Sequence, residues 1–172
     1  MKKLLTALAI GALLSPSALA IPFGGSVNFG SLISKRLMFR SEYYKPIFSK
    51  VYPSLESTYF FEKVDGANAY GLSFLLDSTY YHSLKDKKPC GVFLRGGIGA
   101  ALFHLWDDFS SQTNFVGLGE VSVGYRYRFN DGYFLEGGLG AHIPIGNRDF
   151  NLATGLYYLK KVMPYLNVSV GF

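Results

Sequence analysis

The stretch FVGLGEVSVGYRYRF, residues 115–129, alternates two kinds of side chain that differ in size as much as in polarity. A strand points successive side chains to opposite faces. Phe115, Val121, Val123, Tyr125, Tyr127 and Phe129 therefore share one face, and Glu120, Ser122, Gly124, Arg126 and Arg128 share the other. The same division recurs along the chain. YGLSFLLDSTYY (70–81) sets Tyr70, Leu72, Phe74 and Leu76 against Gly71, Ser73, Leu75, Asp77 and Thr79. GVFLRGGIGAALFHL (91–105) sets Val92, Leu94, Ile98 and Leu102 against Arg95, Gly97, Gly99 and Ala101. YFLEGGLGAHI (133–143) sets Tyr133, Leu135, Leu139 and Ile143 against Glu136, Gly138, Gly140 and His142. YPSLESTYFFE (52–62) sets Leu55, Tyr59 and Phe61 against Ser54, Glu56, Thr58 and Glu62. Between two of these segments, Asn-Asp-Gly at 130–132 reads as a tight hairpin, because these residues tolerate the positive φ such turns require.

PYLNVSVGF (164–172) adds a last strand in which Leu166, Val168, Val170 and Phe172 alternate with Tyr165, Asn167, Ser169 and Gly171. NLATGLYYL (151–159) reads as another, and one more lies within 26–44, where KRLMFRSEYY is favoured over SVNFGSLIS. The count is eight, with no helical period. Several segments exceed the usual globular strand of about 5–6 residues and suit the roughly 9–11 that a tilted membrane strand needs. The predicted fold is all-β, an up-and-down antiparallel transmembrane β-barrel. Eight strands enclose a lumen just wide enough for side chains to fill, so the small face points in and the bulky face points out. Such an exterior would aggregate in water. Reversing it would turn Arg126 toward hydrocarbon, at roughly 2–4 kcal/mol near the midplane. Asp77, Arg95, Glu120, Arg126 and Glu136 are then expected to form an ionic lattice in the lumen, with a structural role. Tyr70, Tyr80, Tyr125, Tyr127, Tyr133 and Tyr158 fall near strand ends, where interfacial aromatic girdles would lie.

Residues 1–20 read as a secretory signal peptide. Lys2 and Lys3 precede an apolar run, and Ala18 and Ala20 form an A-x-A site with cleavage expected before Ile21. The barrel domain is then 21–172, or 172 − 20 = 152 residues, with 15 basic and 12 acidic side chains once Lys2 and Lys3 are gone. The only charge cluster, KDKK (85–88), reads as a solvated loop, and no nucleic-acid partner is expected. One cysteine, Cys90, precludes an internal disulfide framework. No later stretch approaches the roughly 20 apolar residues of a membrane helix, so a membrane-spanning chain of this kind has to be a closed barrel.

The signal peptide, the eight alternating strands and the LNVSVGF ending resemble the small outer-membrane β-barrel proteins of Gram-negative bacteria. YRYRFNDGYFLEGGLG (125–140) is similar to hairpins in that family. The resemblance implies an outer-membrane location, with membrane lipids and lipopolysaccharide as partners. It also implies that Leu166, Val168, Val170 and Phe172 are the signal read by the barrel-assembly machinery, with Phe172 at the periplasmic end. Counting eight strands back from Phe172 puts the Asn-Asp-Gly turn outside the cell and WDDFSSQTN (106–114) in the periplasm, the reverse of the family's habit. The conflict points to a misassigned strand near the N-terminus or at 150–164, or to short external loops.

The expected function is non-enzymatic, structural or surface-interacting, with a filled polar lumen rather than an open pore. Two alternatives are a lipid A deacylase or acyltransferase, and a soluble exported lipocalin-like barrel. The enzyme needs a Ser–His–acid constellation. Ser78 and His82 share a face but stand about 13 Å apart along an extended strand, and Asp77 points to the opposite side. His104 lies on the apolar face and His142 on the polar one, and no His-x-Ser-Asn arrangement is present. No catalytic residues are assigned. No metal or cofactor is expected either, since there is no Cys/His ligand spacing and the GGIG and GGLG runs sit inside strands.

Overall fold

Sustained alternation over long segments dictates strands, and a sheet of such strands avoids exposed edges only by closing on itself. The structure, a computed structural model, describes residues 23–64, 67–85, 88–106, 111–129, 132–145 and 162–172. Eight antiparallel strands form one closed barrel in simple chain order. They are β1 (Phe23–Asn28), β2 (Arg36–Tyr43), β3 (Val51–Val64), β4 (Ala67–Lys85), β5 (Lys88–Trp106), β6 (Ser111–Arg128), β7 (Phe134–Ile145) and β8 (Met163–Gly171).

The N-terminal region supplies two strands where the sequence suggested one. SVN closes β1, RLMFRSEY forms β2, and a 3-10 turn at Gly30–Ser34 reverses the chain between them. Lys35 ends that turn in the left-handed region at φ 53°, which directs the chain into β2. The expected signal segment with Ala18 and Ala20, and the expected strand at 151–159, lie outside the described residues. β7 pairs directly with β8, so the eight strands close without 151–159. This recount moves the loops. Phe129 and Gly132, which flank the Asn-Asp-Gly site, fall on the same rim as Phe172, and Trp106 and Ser111 fall on the opposite rim with Ile145 and Val162. The orientation conflict came from the strand assignment.

Closure is brief. β1 and β8 share only Ser26↔Gly171, Val27↔Val170 and Asn28↔Ser169. The seam is extended by Phe29 N–H donating to Val168 O (2.8 Å) and Phe172 N–H donating to Gly25 O (3.1 Å). Asn28 Oδ1 accepts from Val168 N–H (3.1 Å) and Ser31 N–H (3.2 Å), tying the 3-10 turn to β8.

The bulky face points outward. Leu76 and Ile98, direct cross-strand neighbours, are 70% and 69% exposed. Among the described residues, outward positions between the rims carry no Asp, Glu, Lys or Arg. Rings gather at both edges of this band. Phe23 packs tilted against Tyr43 (centroids 5.0 Å) and Tyr127 edge-to-face against Phe129 (5.0 Å) on the Phe172 rim. Tyr70 meets Trp106 (5.0 Å) and His104 (5.2 Å) on the other. The ten steps from Tyr70 to Tyr80, at roughly 3.3 Å each and a tilt of about 40°, give a band about 25 Å tall. That is the apolar height of a transmembrane barrel.

Inside, the smallest and largest residues are matched in pairs. Phe93 faces Gly124, Phe103 faces Gly71, Phe134 faces Gly171 and Tyr165 faces Gly140, each as opposite residues of adjacent strands. Each ring lies where the glycine's side chain would stand. The glycines on the inward face thus provide room for specific rings.

Candidate functional site

The side chains inside the barrel form layers. Toward the Phe172 rim sits an aromatic cluster of Tyr52, Tyr81 and Phe93. Toward the far rim sit Phe60, Leu75, Ala101, Phe103, Leu118 and Met163. Beside the first cluster and between the two, inward residues of six strands are charged. Desolvated charges in such a place have to be paired and hydrogen-bonded.

All five lattice residues read from the sequence point into the lumen and are buried: Asp77, Arg95, Glu120, Arg126 and Glu136. The structure divides them between two centres. In the first, Glu136 Oε1 accepts from Arg126 Nε (2.7 Å) and Nη2 (2.6 Å), and from Arg95 Nη2 (3.3 Å). Arg126 Nη1 also donates to Glu42 Oε2 (2.6 Å), Arg95 Nε donates to Thr79 Oγ1 (2.9 Å), and Asn167 Nδ2 donates to Glu136 Oε2 (3.2 Å). The two guanidiniums rest on rings: Arg95 over Phe93 (4.7 Å), Arg126 over Phe134 (3.9 Å) and Tyr81 (4.6 Å). Such cation–π contacts strengthen when desolvated.

The second centre is organised by Arg40, a residue the sequence reading did not assign. Its Nη2 donates to Glu56 Oε2 and to Glu120 Oε1 (3.1 Å), and its Nε lies 3.6 Å from Asp77 Oδ2. His142 Nε2 donates to Glu56 Oε1 (3.0 Å), Thr58 Oγ1 to the same oxygen (3.0 Å), and Tyr165 OH to Glu120 Oε1. Sequence reasoning left out Arg40, Glu42, Glu56 and His142. Glu56 and His142 were already placed on the small face; their missing signal was a partner across the lumen. Gly97, opposite Asp77, leaves the space that the Asp77 carboxylate occupies, and a side chain there would also meet Leu76 O at 2.8 Å.

The other sites read from the sequence fall elsewhere. Leu166, Val168 and Val170 face outward on β8. Tyr44 OH donates to Phe172 O at 2.7 Å. His82 sits exposed near the Phe172 rim, its backbone carbonyl accepting from Lys50 Nζ (2.8 Å). His104 faces outward at the far rim, with Nδ1 2.9 Å from Thr113 Oγ1 and no carboxylate partner among the described residues.

No family model matches this sequence, and no curated protein matches it. Among solved structures, the N-terminal β-barrel domain of Pseudomonas aeruginosa OprF is similar, with a TM-score of 0.53. The match covers 87% of this chain and 96% of that domain at 15% identity. The likeness is one of fold. Both are closed β-barrels of similar extent, and this chain builds its barrel from its own side chains.

Proposed function

We propose that this chain is an integral outer-membrane β-barrel protein with a non-enzymatic role, structural or surface-interacting, and a filled polar lumen. The observation that carries the reading is the segregation of side chains. Among the described residues an uncharged outward band about 25 Å tall, edged by rings, surrounds a core of buried ions. Water would favour the opposite arrangement. The OprF domain supports the reading through its fold. In this reading residues 1–20 are removed after Ala20, and lipids and lipopolysaccharide wrap the band. The Phe172 rim faces the periplasm, so the tight 130–132 turn is internal and the long β7–β8 connection is external. Spin labels at Val121 and Val123 in the folded protein in lipid vesicles test it. Contact with acyl chains at both is expected; water accessibility there would overturn the reading.

Leu166, Val168, Val170 and Phe172 are proposed as the row read during assembly. Phe172 also closes the β1–β8 seam through its backbone, a bond that a side-chain change leaves in place. Phe172→Ser is therefore expected to lower the yield of assembled barrel in cells several-fold, while barrel refolded in detergent keeps its heat-modifiable gel migration. Equal yields in cells would remove the assembly role.

A further inference from the structure

Charge is balanced at one lumen centre and unbalanced at the other. Around Glu136, two guanidiniums (Arg95 and Arg126) face two carboxylates (Glu136 and Glu42). Around Arg40, one guanidinium faces Glu56, Asp77 and Glu120, a formal sum of 1 − 3 = −2 over these four side chains. Buried, uncompensated charge of that size is costly. The hydrogen bonding carries the same mark. Asp77 is 3% exposed, yet neither of its oxygens has a hydrogen-bond partner among the described residues. Glu120 Oε2 and His142 Nδ1 are also unpartnered. Arg40 is the cation nearest Asp77 among the described residues, and its own unpartnered Nε stands 3.6 Å from Asp77 Oδ2, beyond hydrogen-bond distance, while its Nη2 is engaged by Glu56 and Glu120.

Three of these groups converge. One donor atom each from Glu56 on β3, Glu120 on β6 and His142 on β7 lie within 4.8 Å of one another. His142 Nε2 and Glu56 Oε1 are 3.0 Å apart. Ligands at about 2.0–2.2 Å from a tetrahedral ion stand roughly 3.3–3.5 Å from each other, so modest side-chain shifts complete the set. The ligand carboxylates are held from behind, Glu56 by Thr58 and Glu120 by Tyr165 and Ser122, as outer-shell partners hold metal ligands elsewhere.

We propose that the lumen takes up one divalent transition-metal ion, bound by Glu56, Glu120 and His142, with Asp77 as the neighbouring counter-charge. Two carboxylates and an imidazole suit Zn2+ better than the all-oxygen cations Mg2+ or Ca2+. A 2+ ion cancels the surplus and cross-links β3 to β6 and β7 across the barrel. Apolar layers lie on both sides, at Tyr52, Tyr81 and Phe93 and at Phe60, Phe103 and Met163, so the ion enters as the barrel closes and exchanges slowly. The role is structural.

The full chain is unfolded in urea and refolded into detergent with EDTA, with Mg2+ or with Zn2+, and each product is then washed with EDTA. Bound metal is measured by plasma mass spectrometry, and stability by the temperature at which the folded gel band converts. About one Zn2+ per chain, retained through the wash and raising that temperature by several degrees, is expected only when Zn2+ is present during folding. His142→Ala is expected to lose both. Should that variant fail to fold, Co2+ loaded into the wild type decides, since a tetrahedral ion held by these three side chains and one water gives intense visible bands. A folded wild type that holds neither Zn2+ nor Co2+ overturns the proposal, as does equal retention by His142→Ala. Metal-free wild type together with a higher conversion temperature for Asp77→Asn would assign the surplus to a shared proton instead.

Discussion

Glu136→Ala is expected to destabilise the barrel by roughly 3–5 kcal/mol, the loss seen when one partner of a buried ion pair is removed. Glu136 is fully buried and receives Arg126, Arg95, Asn167 and Tyr81. Without it, Arg95 and Arg126 remain among Phe93, Tyr81 and Phe134, with Glu42 as the remaining carboxylate of that centre. Rings attract cations but do not neutralise them. Against a total stability of about 5–15 kcal/mol, the loss is large. Trp106, the sole tryptophan, stands on the outer face beside Tyr70 and reports unfolding by fluorescence in urea. Glu136→Gln, which keeps shape and one acceptor, is expected to lose less. Glu136→Ala combined with Arg126→Met is expected to recover part of the loss, because the second change removes an orphaned charge; the two sites touch and so are not additive. A Glu136→Ala barrel within about 0.5 kcal/mol of wild type would mean that water reaches the layer and screens it.

The small face is legible in the sequence where strands run long. Asp77, Arg95, Glu120, Arg126 and Glu136 sit on strands of 12 to 19 residues, where alternation fixes which way a side chain points. Arg40 and Glu42 lie on β2, inside the favoured KRLMFRSEYY segment, but the period across 26–44 is ambiguous and assigns no inward face there. Counting 151–159 as a strand between β7 and β8, which in fact pair directly, shifted the rims counted back from Phe172. The pairing of Glu56 with His142 joins residues 86 apart across the lumen, which no local pattern encodes. Parity did place Phe93 beside Arg95 on the inward face. The argument that rings overfill an eight-stranded lumen nevertheless failed near the rims, because each ring is met by a glycine on the next strand. Phe93 with Gly124 and Tyr165 with Gly140 are visible only once register is known.

Ile98→Lys separates a lipid exterior from an aqueous one by the sign and depth of its effect. Ile98 lies midway along β5, opposite Leu76 and Gly119, and is 69% exposed on the outward face. With acyl chains outside, a lysine at the midplane is expected to cost roughly 2–4 kcal/mol, falling to about 0–1 near the interface. Tyr80, at the ring of aromatic residues near the Phe172 rim, supplies the shallow comparison: Tyr80→Lys should be nearly neutral in vesicles. In water the order reverses. Lysine would cover an exposed apolar site at little cost, within about 0.5 kcal/mol, and would oppose aggregation by breaking an oversized patch. Depth would then be irrelevant, since both positions would face the same solvent. Unfolding in urea from vesicles, followed through Trp106, therefore yields two numbers whose difference carries the result. A deep lysine costing at least about 2 kcal/mol more than the shallow one requires hydrocarbon around β5, because no other solvent grades the penalty along the strand axis.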